Sequence, residues 1–266
     1  MNATRWSAER VKSLKGQAPF ACSTAYDYAM ARLVDAAGIP LILVGDSLGM
    51  AMLGYSSTIP VTMAEMLHHT AAVSRGAAAA LVVGDMPFMS FQGSPDQAVE
   101  NAGRFLKEAG AGAVKIEGGE IREPLVDRLV RNGIPVLGHI GLTPQSIRAL
   151  GGYKVQGRKP AEVEQILKDA QALERAGAFA VVIECVPAAI GREVTESISI
   201  PTIGIGAGPH CDGQILVLHD LLGFESGVKP RFVKAYADLD SAIRRALDAY
   251  RDDVAERRFP GPEHAY

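Results

Sequence analysis

Cysteine is scarce in this chain: Cys22, Cys185 and Cys211 are the only three in 266 residues, and no two form a CxxC pair. So sparse and odd a set excludes a disulfide framework and a thiolate zinc site. No apolar run nears the roughly 20 residues that a membrane helix needs. The start, MNATRWSAERVKSLK, holds no apolar signal core. A cytoplasmic protein without membrane contact is expected. Excess charge of either sign is lacking too: 27 Lys+Arg face 30 Asp+Glu, a formal net charge of −3. That balance offers no basic face to a nucleic acid. GIGAG at 204–208 runs into Pro209 and does not complete GxGxxG, and no Walker-type phosphate loop occurs. No Pro/Ser linker or low-complexity tract divides the chain. What remains is an ordinary globular composition, 48% hydrophobic and 21% charged.

Within it one unit recurs: a short apolar run, a Gly- or acid-bearing turn, then an Ala-rich helical stretch. The runs are 19–26, 40–47, 79–88, 111–119, 134–142, 178–187, 200–208 and a weaker one at 215–223. Most alternate poorly, as strands buried on both faces of a parallel sheet do. Gly38, Gly110, Gly133 and Gly177 each stand shortly before a run, where a helix C-terminus is expected. Eight strands alternating with helices over some 250 residues predict a (β/α)8 barrel, one domain spanning 1–266. An open doubly wound sheet is the alternative, but its Gly-rich first turn is replaced here by ACSTAYDYAM. Residues 5–15 read as an extra helix at the bottom of the barrel, and the charged segment after Ala235 as a helical tail.

The acids fall where such a barrel works. Active sites of this architecture lie at the C-terminal ends of the strands, and Asp46, Asp85, Glu117 and Glu184 close the second, third, fourth and sixth runs. Any one of them could simply cap the next helix; four on one rim point to a site. Lys115 lies two residues from Glu117, on the same strand face. Oxygen donors without partnering His or Cys suit Mg²⁺ better than zinc. Asp46 and Asp85 are the expected direct ligands, with Glu117 a third ligand or bound through a water. An open Mg²⁺ beside a lysine suits an α-keto acid whose developing enolate charge it stabilises. Glu184, across the mouth, is the candidate proton acceptor. His139 points at the same rim, as a wall residue, a substrate contact or a rival base. His68 and His69 fall in a helix, Cys185 on the face opposite Glu184, and Lys154 and Arg158 in a basic loop that either meets an anionic tail or is merely solvated.

The strings VGDSLGM, STIPVTMAEMLHHT, GDMPFMSF, VKIEGGE, GHIGLTPQS, GGYKVQGR, ECVP, IGIGAG and DGQILVLHDLLG, in this order, resemble the ketopantoate hydroxymethyltransferase family from about residue 10 to 264. The resemblance implies a barrel of the phosphoenolpyruvate/pyruvate superfamily. It also implies transfer of a one-carbon unit from 5,10-methylenetetrahydrofolate to 3-methyl-2-oxobutanoate, giving 2-dehydropantoate on the way to pantothenate. Carried over by position, it makes Asp46 and Asp85 metal ligands and Glu117 a third acid at the metal. Asp46, Ser47, Asp85 and Lys115 become keto-acid contacts, and Glu184 the proton acceptor. A homo-oligomer, a decamer, is implied as well. Ser56 stands where the family usually has Asp, which puts one loop contact in doubt. Competing readings are a lyase or mutase like isocitrate lyase and phosphoenolpyruvate mutase, whose KKCGH-type loop is missing here, and an inactive keto-acid-binding barrel.

Overall fold

The computed structural model describes residues 5–224 and 230–266. They form two compact units, Met1–Val217 and Leu218–Tyr266. In the first, eight parallel strands close into a barrel in chain order: β1 (Phe20–Thr24), β2 (Leu41–Val44), β3 (Leu81–Asp85), β4 (Ala113–Glu117), β5 (Val136–Gly141), β6 (Ala180–Glu184), β7 (Thr202–Ile205) and β8 (Gly213–Leu216). β8 pairs with β1 and shuts the ring. The helices of this unit are α1 (Ala8–Lys12), α2 (Tyr28–Ala36), α3 (Leu48–Ala51), α4 (Met63–Gly76), α5 (Pro95–Lys107), α6 (Glu123–Arg131), α7 (Ile147–Leu150), α8 (Pro160–Arg175) and α9 (Ala188–Ser197). This is the (β/α)8 barrel that the sequence predicts. The second unit carries α10 (Leu218–Leu222) and the tail helix α11 (Leu239–Ala255). No helix among the described residues is long and apolar enough to cross a membrane.

Local chemistry sets the helix ends. Asp27 accepts from the Met30 N–H at 2.8 Å to start α2, and Thr62 with Glu65 forms a capping box on α4. Ser94 followed by Pro95 starts α5. The glycines that precede β2, β4, β5 and β6, Gly38, Gly110, Gly133 and Gly177, all have φ between 71° and 89°. That is the left-handed turn which only glycine adopts without strain.

Every residue of β2, β3 and β4 is buried, because helices cover one face of the sheet and the lumen the other. Two glycines tell the faces apart. A Cβ on Gly84 would lie 2.3 Å from the Phe105 ring of α5, and one on Gly138 would lie 2.5 Å from Leu173 of α8. These positions face the helices, so their neighbours Val83, Asp85, Leu137 and His139 face inward. The lower lumen is apolar, filled by Leu41, Leu43, Leu81, Val83, Ala113, Leu137, Ala180, Val182, Ile203 and Ile215. Val11 of α1 joins this cluster, and the Trp6 N–H donates to the Ala79 carbonyl at 2.7 Å. The extra N-terminal helix therefore does close the bottom.

Two details depart from the sequence reading. The eighth strand is Gly213–Leu216, and most of the run 215–223 is instead a turn and α10. The link from β7 to β8, residues 206–212, contains no helix. It packs on α9 so closely that a Cβ on Gly191 would lie 2.2 Å from the Ala207 carbonyl oxygen.

Candidate active site

Strand alternation carries each lumen column upward from apolar to charged. Leu81 and Val83 lead to Asp85, Ala113 leads to Lys115 and Glu117, Leu137 leads to His139, and Ala180 and Val182 lead to Glu184. Register then places Asp85 beside Lys115 and Glu117 beside His139. Asp46 lies two residues past β2, in the turn to α3. Its N–H donates to Asp85 Oδ2 at 2.9 Å. None of the four acids is a helix cap; the caps in these loops are Ser47, Ser94, Gly119 and Pro187. The capping alternative is thereby excluded.

The groups make one connected cluster. Lys115 Nζ lies 3.0 Å from Asp85 Oδ1, 3.6 Å from Glu117 Oε1 and 3.1 Å from His139 Nδ1. His139 Nε2 lies 3.1 Å from Glu184 Oε2. Asp46, Asp85, Lys115, Glu117 and His139 are each at most 5% exposed; Glu184, at the rim, is half-buried. Cys185, just after it, has φ of 49°, which turns the chain sharply away once the acid is placed.

Three buried carboxylates against one ammonium leave surplus negative charge. Burial, then the charges of Asp85 and Glu117, push the Asp46 carboxyl well above the usual range, against Lys115 and a bond from Gln145. Asp85 is raised too, chiefly by burial, although Lys115 opposes it. Burial acts to raise Glu117, but Lys115 and His139 outweigh it and hold it low. Burial would lower Lys115; Asp85, Glu117 and Asp46 raise it instead, so it stays an ammonium. At His139, desolvation and Lys115 favour the neutral ring, and the bonds to Glu117 and Glu184 overcome them, raising its pKa to about 9. Whether the ring is neutral or protonated, its Nε2 faces Glu184 Oε2 across that 3.1 Å contact. His139 thus bridges the Lys115–Glu117 side of the cluster to Glu184.

Ser47 Oγ lies 2.9 Å from Tyr26 Oη at the edge of the cluster, and His69 Nδ1 lies 2.6 Å from the Tyr26 carbonyl oxygen. Sequence reasoning misses three residues: Tyr26, Gln145 and Tyr153. Gln145 is buried and donates to Asp46; an uncharged side chain in a loop gives no spacing signal. Tyr153, in the loop after α7, hydrogen-bonds Met50 Sδ at 3.6 Å. Burial and the charges of Glu184, Asp46 and Glu117 raise its phenol. Lys154, Arg158 and Ser56 are exposed and contribute nothing to the cluster.

A family model described as ketopantoate hydroxymethyltransferase matches residues 5–262. The chain belongs to that family. Curated relatives named 3-methyl-2-oxobutanoate hydroxymethyltransferase include one from Moorella thermoacetica, 59% identical over 91% of this chain and 90% of its own length. Another, from Thermotoga sp., is 55% identical over 98% and 96%. Among solved structures, phosphoenolpyruvate phosphomutase from Streptomyces platensis subsp. rosaceus has a TM-score of 0.62 at 15% identity, covering 94% of this chain and 88% of that one. Phosphonopyruvate hydrolase, solved with oxalate and Mg²⁺, has a TM-score of 0.60 at 15% identity, covering 97% and 93%. At such identity these barrels share the fold alone, whereas the close relatives make this chain an enzyme of the ketopantoate hydroxymethyltransferase family.

Among the described residues, no three His, Cys, Asp or Glu side chains stand together as a ready metal cage. Two adjacent carboxylates of raised pKa, Asp46 and Asp85, do fit Mg²⁺, which commonly takes one or two protein carboxylates and keeps waters. A divalent cation also cancels the excess charge. Glu117 is differently engaged, its Oε2 accepting from the Gln145 N–H at 3.0 Å and its Oε1 facing Lys115 and His139.

Proposed function

We propose that this enzyme transfers a hydroxymethyl unit from 5,10-methylenetetrahydrofolate to 3-methyl-2-oxobutanoate, giving 2-dehydropantoate, with Mg²⁺ held by Asp46 and Asp85. The observation that carries this reading is the coincidence of the family match with one acid–lysine–histidine cluster at the top of the lumen. When bound, Mg²⁺ supplies Lewis-acid polarisation of the keto acid. Glu117 supports the cation from outside its direct ligands. Lys115, permanently charged, faces the negative charge that develops on the keto oxygen as C3 is deprotonated. Glu184 takes the C3 proton. His139 Nε2, 3.1 Å from Glu184 Oε2, sits against that oxygen and leaves the other for the proton. Ser47, hydrogen-bonded to Tyr26, contacts the keto acid.

Turnover with 3-methyl-2-oxobutanoate, methylenetetrahydrofolate and Mg²⁺ tests the reading. Product formation that persists undiminished in excess chelator, or no product at all, refutes it. The enzyme works in the cytoplasm as a homo-oligomer, a decamer, on this reading. Light scattering that finds a monomer at micromolar concentration refutes that part.

A further inference from the structure

Gln145 lies in the short turn Pro144–Ser146 that follows β5, and it is 4% exposed. Every hydrogen-bonding group of its side chain has a partner. Nε2 donates to Asp46 Oδ2 at 2.9 Å and to the Met86 carbonyl oxygen at 2.9 Å. Oε1 accepts from Gln92 Nε2 at 2.9 Å, and the main-chain N–H donates to Glu117 Oε2 at 3.0 Å. One residue thus ties together the ends of β2, β3, β4 and β5. The amide can face only one way, because Gln92 presents a donor and Asp46 and Met86 present acceptors. It engages a single oxygen of each acid: Oδ2 of Asp46 and Oε2 of Glu117.

We propose that Gln145 is the positioning residue of this centre. Its side-chain amide fixes the rotation of Asp46 so that one chosen oxygen is left for the cation, its main-chain N–H holds Glu117 with Oε1 toward Lys115 and His139, and Gln92 fixes the direction of the Gln145 amide. The inference rests on the reading above that Asp46 and Asp85 hold a divalent cation. Partners that orient ligating carboxylates typically change metal affinity by about 10–100-fold when removed.

Mn²⁺ binding, followed by the loss of its free electron-paramagnetic signal without any substrate, tests this apart from turnover. Gln145→Met removes the amide at similar length and is expected to weaken Mn²⁺ binding by at least about tenfold. Gln92→Glu leaves Gln145 in place but offers it an acceptor. The amide must then turn its carbonyl toward Asp46 and Met86 or lose its partner, so a comparable loss is expected. Turnover of Gln145→Met should recover as Mg²⁺ is raised while its circular dichroism stays that of the wild type across the titration; a folding defect rescued by the cation would change both together. Wild-type protein that shows no saturable Mn²⁺ binding overturns the cation reading together with this inference. Wild-type binding with Gln145→Met and Gln92→Glu both within twofold of it overturns the inference alone. Should Gln145→Met fail to fold, Gln92→Glu decides by the same criterion.

Discussion

Lys115 is the cation on which the metal-free cluster depends, and Lys115→Met removes its charge while keeping most of its length. The variant leaves Asp85 without the ammonium at 3.0 Å and Glu117 without the one at 3.6 Å. Breaking a buried ion pair from one side costs about 3–5 kcal/mol, since the remaining charge stays buried and uncompensated. Against a total stability of roughly 5–15 kcal/mol, that is a large fraction of the fold. The loss should depend on pH with a definite sign. Asp46 and Asp85 titrate above the ordinary aspartate value, and without Lys115 they rise further. A carboxyl whose folded pKa is raised destabilises the fold when ionised, and this cost fades as pH falls through that pKa. The gap between wild type and Lys115→Met should therefore be larger at pH 7.5 than at pH 5.5. A cation held at the proposed site should stabilise both proteins when Mg²⁺ is added. Urea unfolding of the metal-free proteins at the two pH values is the assay. A loss below about 1 kcal/mol at pH 7.5, far under the buried-pair range, or one that does not change with pH, refutes the charge argument.

Three further outcomes are expected. Burial acts to raise Asp212, but bonds from Thr202, Gly16 and Lys15 outweigh it and hold its carboxyl below the usual range. Asp212→Asn should cost about 1.5–3 kcal/mol, as charged hydrogen bonds do. That cost is fully present above the ordinary value near 3.9 and is lost as pH falls through the folded pKa; an equal cost at pH 3 contradicts it. Gly84→Ala should destabilise by about 1–3 kcal/mol through overpacking against Phe105, and an unchanged melting temperature contradicts the assignment of the two faces of β3. Glu184→Gln should bind keto acid and Mg²⁺ yet lose exchange of the C3 hydrogen with deuterium by at least about 100-fold, while His139→Asn, which removes only the partner, still exchanges; wild-type exchange in Glu184→Gln makes the base another group.

Much of the fold is legible because the signals are local. Seven of the eight apolar runs contain their strands, since β-branched stretches bounded by glycine have few other ways to be buried. The eighth misleads for a physical reason. In DGQILVLHDLLG the strand begins at Gly213, ahead of the apolar residues, and the richest part of the run turns into α10. Helix α9 gives equally little warning. Its AAIGREVTES carries Gly191, which weakens a helix by about 1 kcal/mol, and the glycine is there because the link to β8 approaches within 2.2 Å of where a side chain would start. Such a close approach joins parts of the chain that no local window contains.

The site divides along the same line. Charged residues at strand ends are visible because burial there is costly, and the two-residue alternation that sorts Leu from Val also aims Asp85, Lys115, Glu117, His139 and Glu184 into one space. What the sequence leaves open at His139, base or wall, depends on contacts that the neighbour strands set. Register sets it beside Glu117, and its far nitrogen lies 3.1 Å from Glu184, the base of the proposed reaction. Gln145 shows the limit of reading spacing alone. It bears no charge, sits outside any strand and makes its contacts across residues 46, 86, 92 and 117. An amide reveals its role only through which atoms face it, and those atoms meet only when the barrel closes.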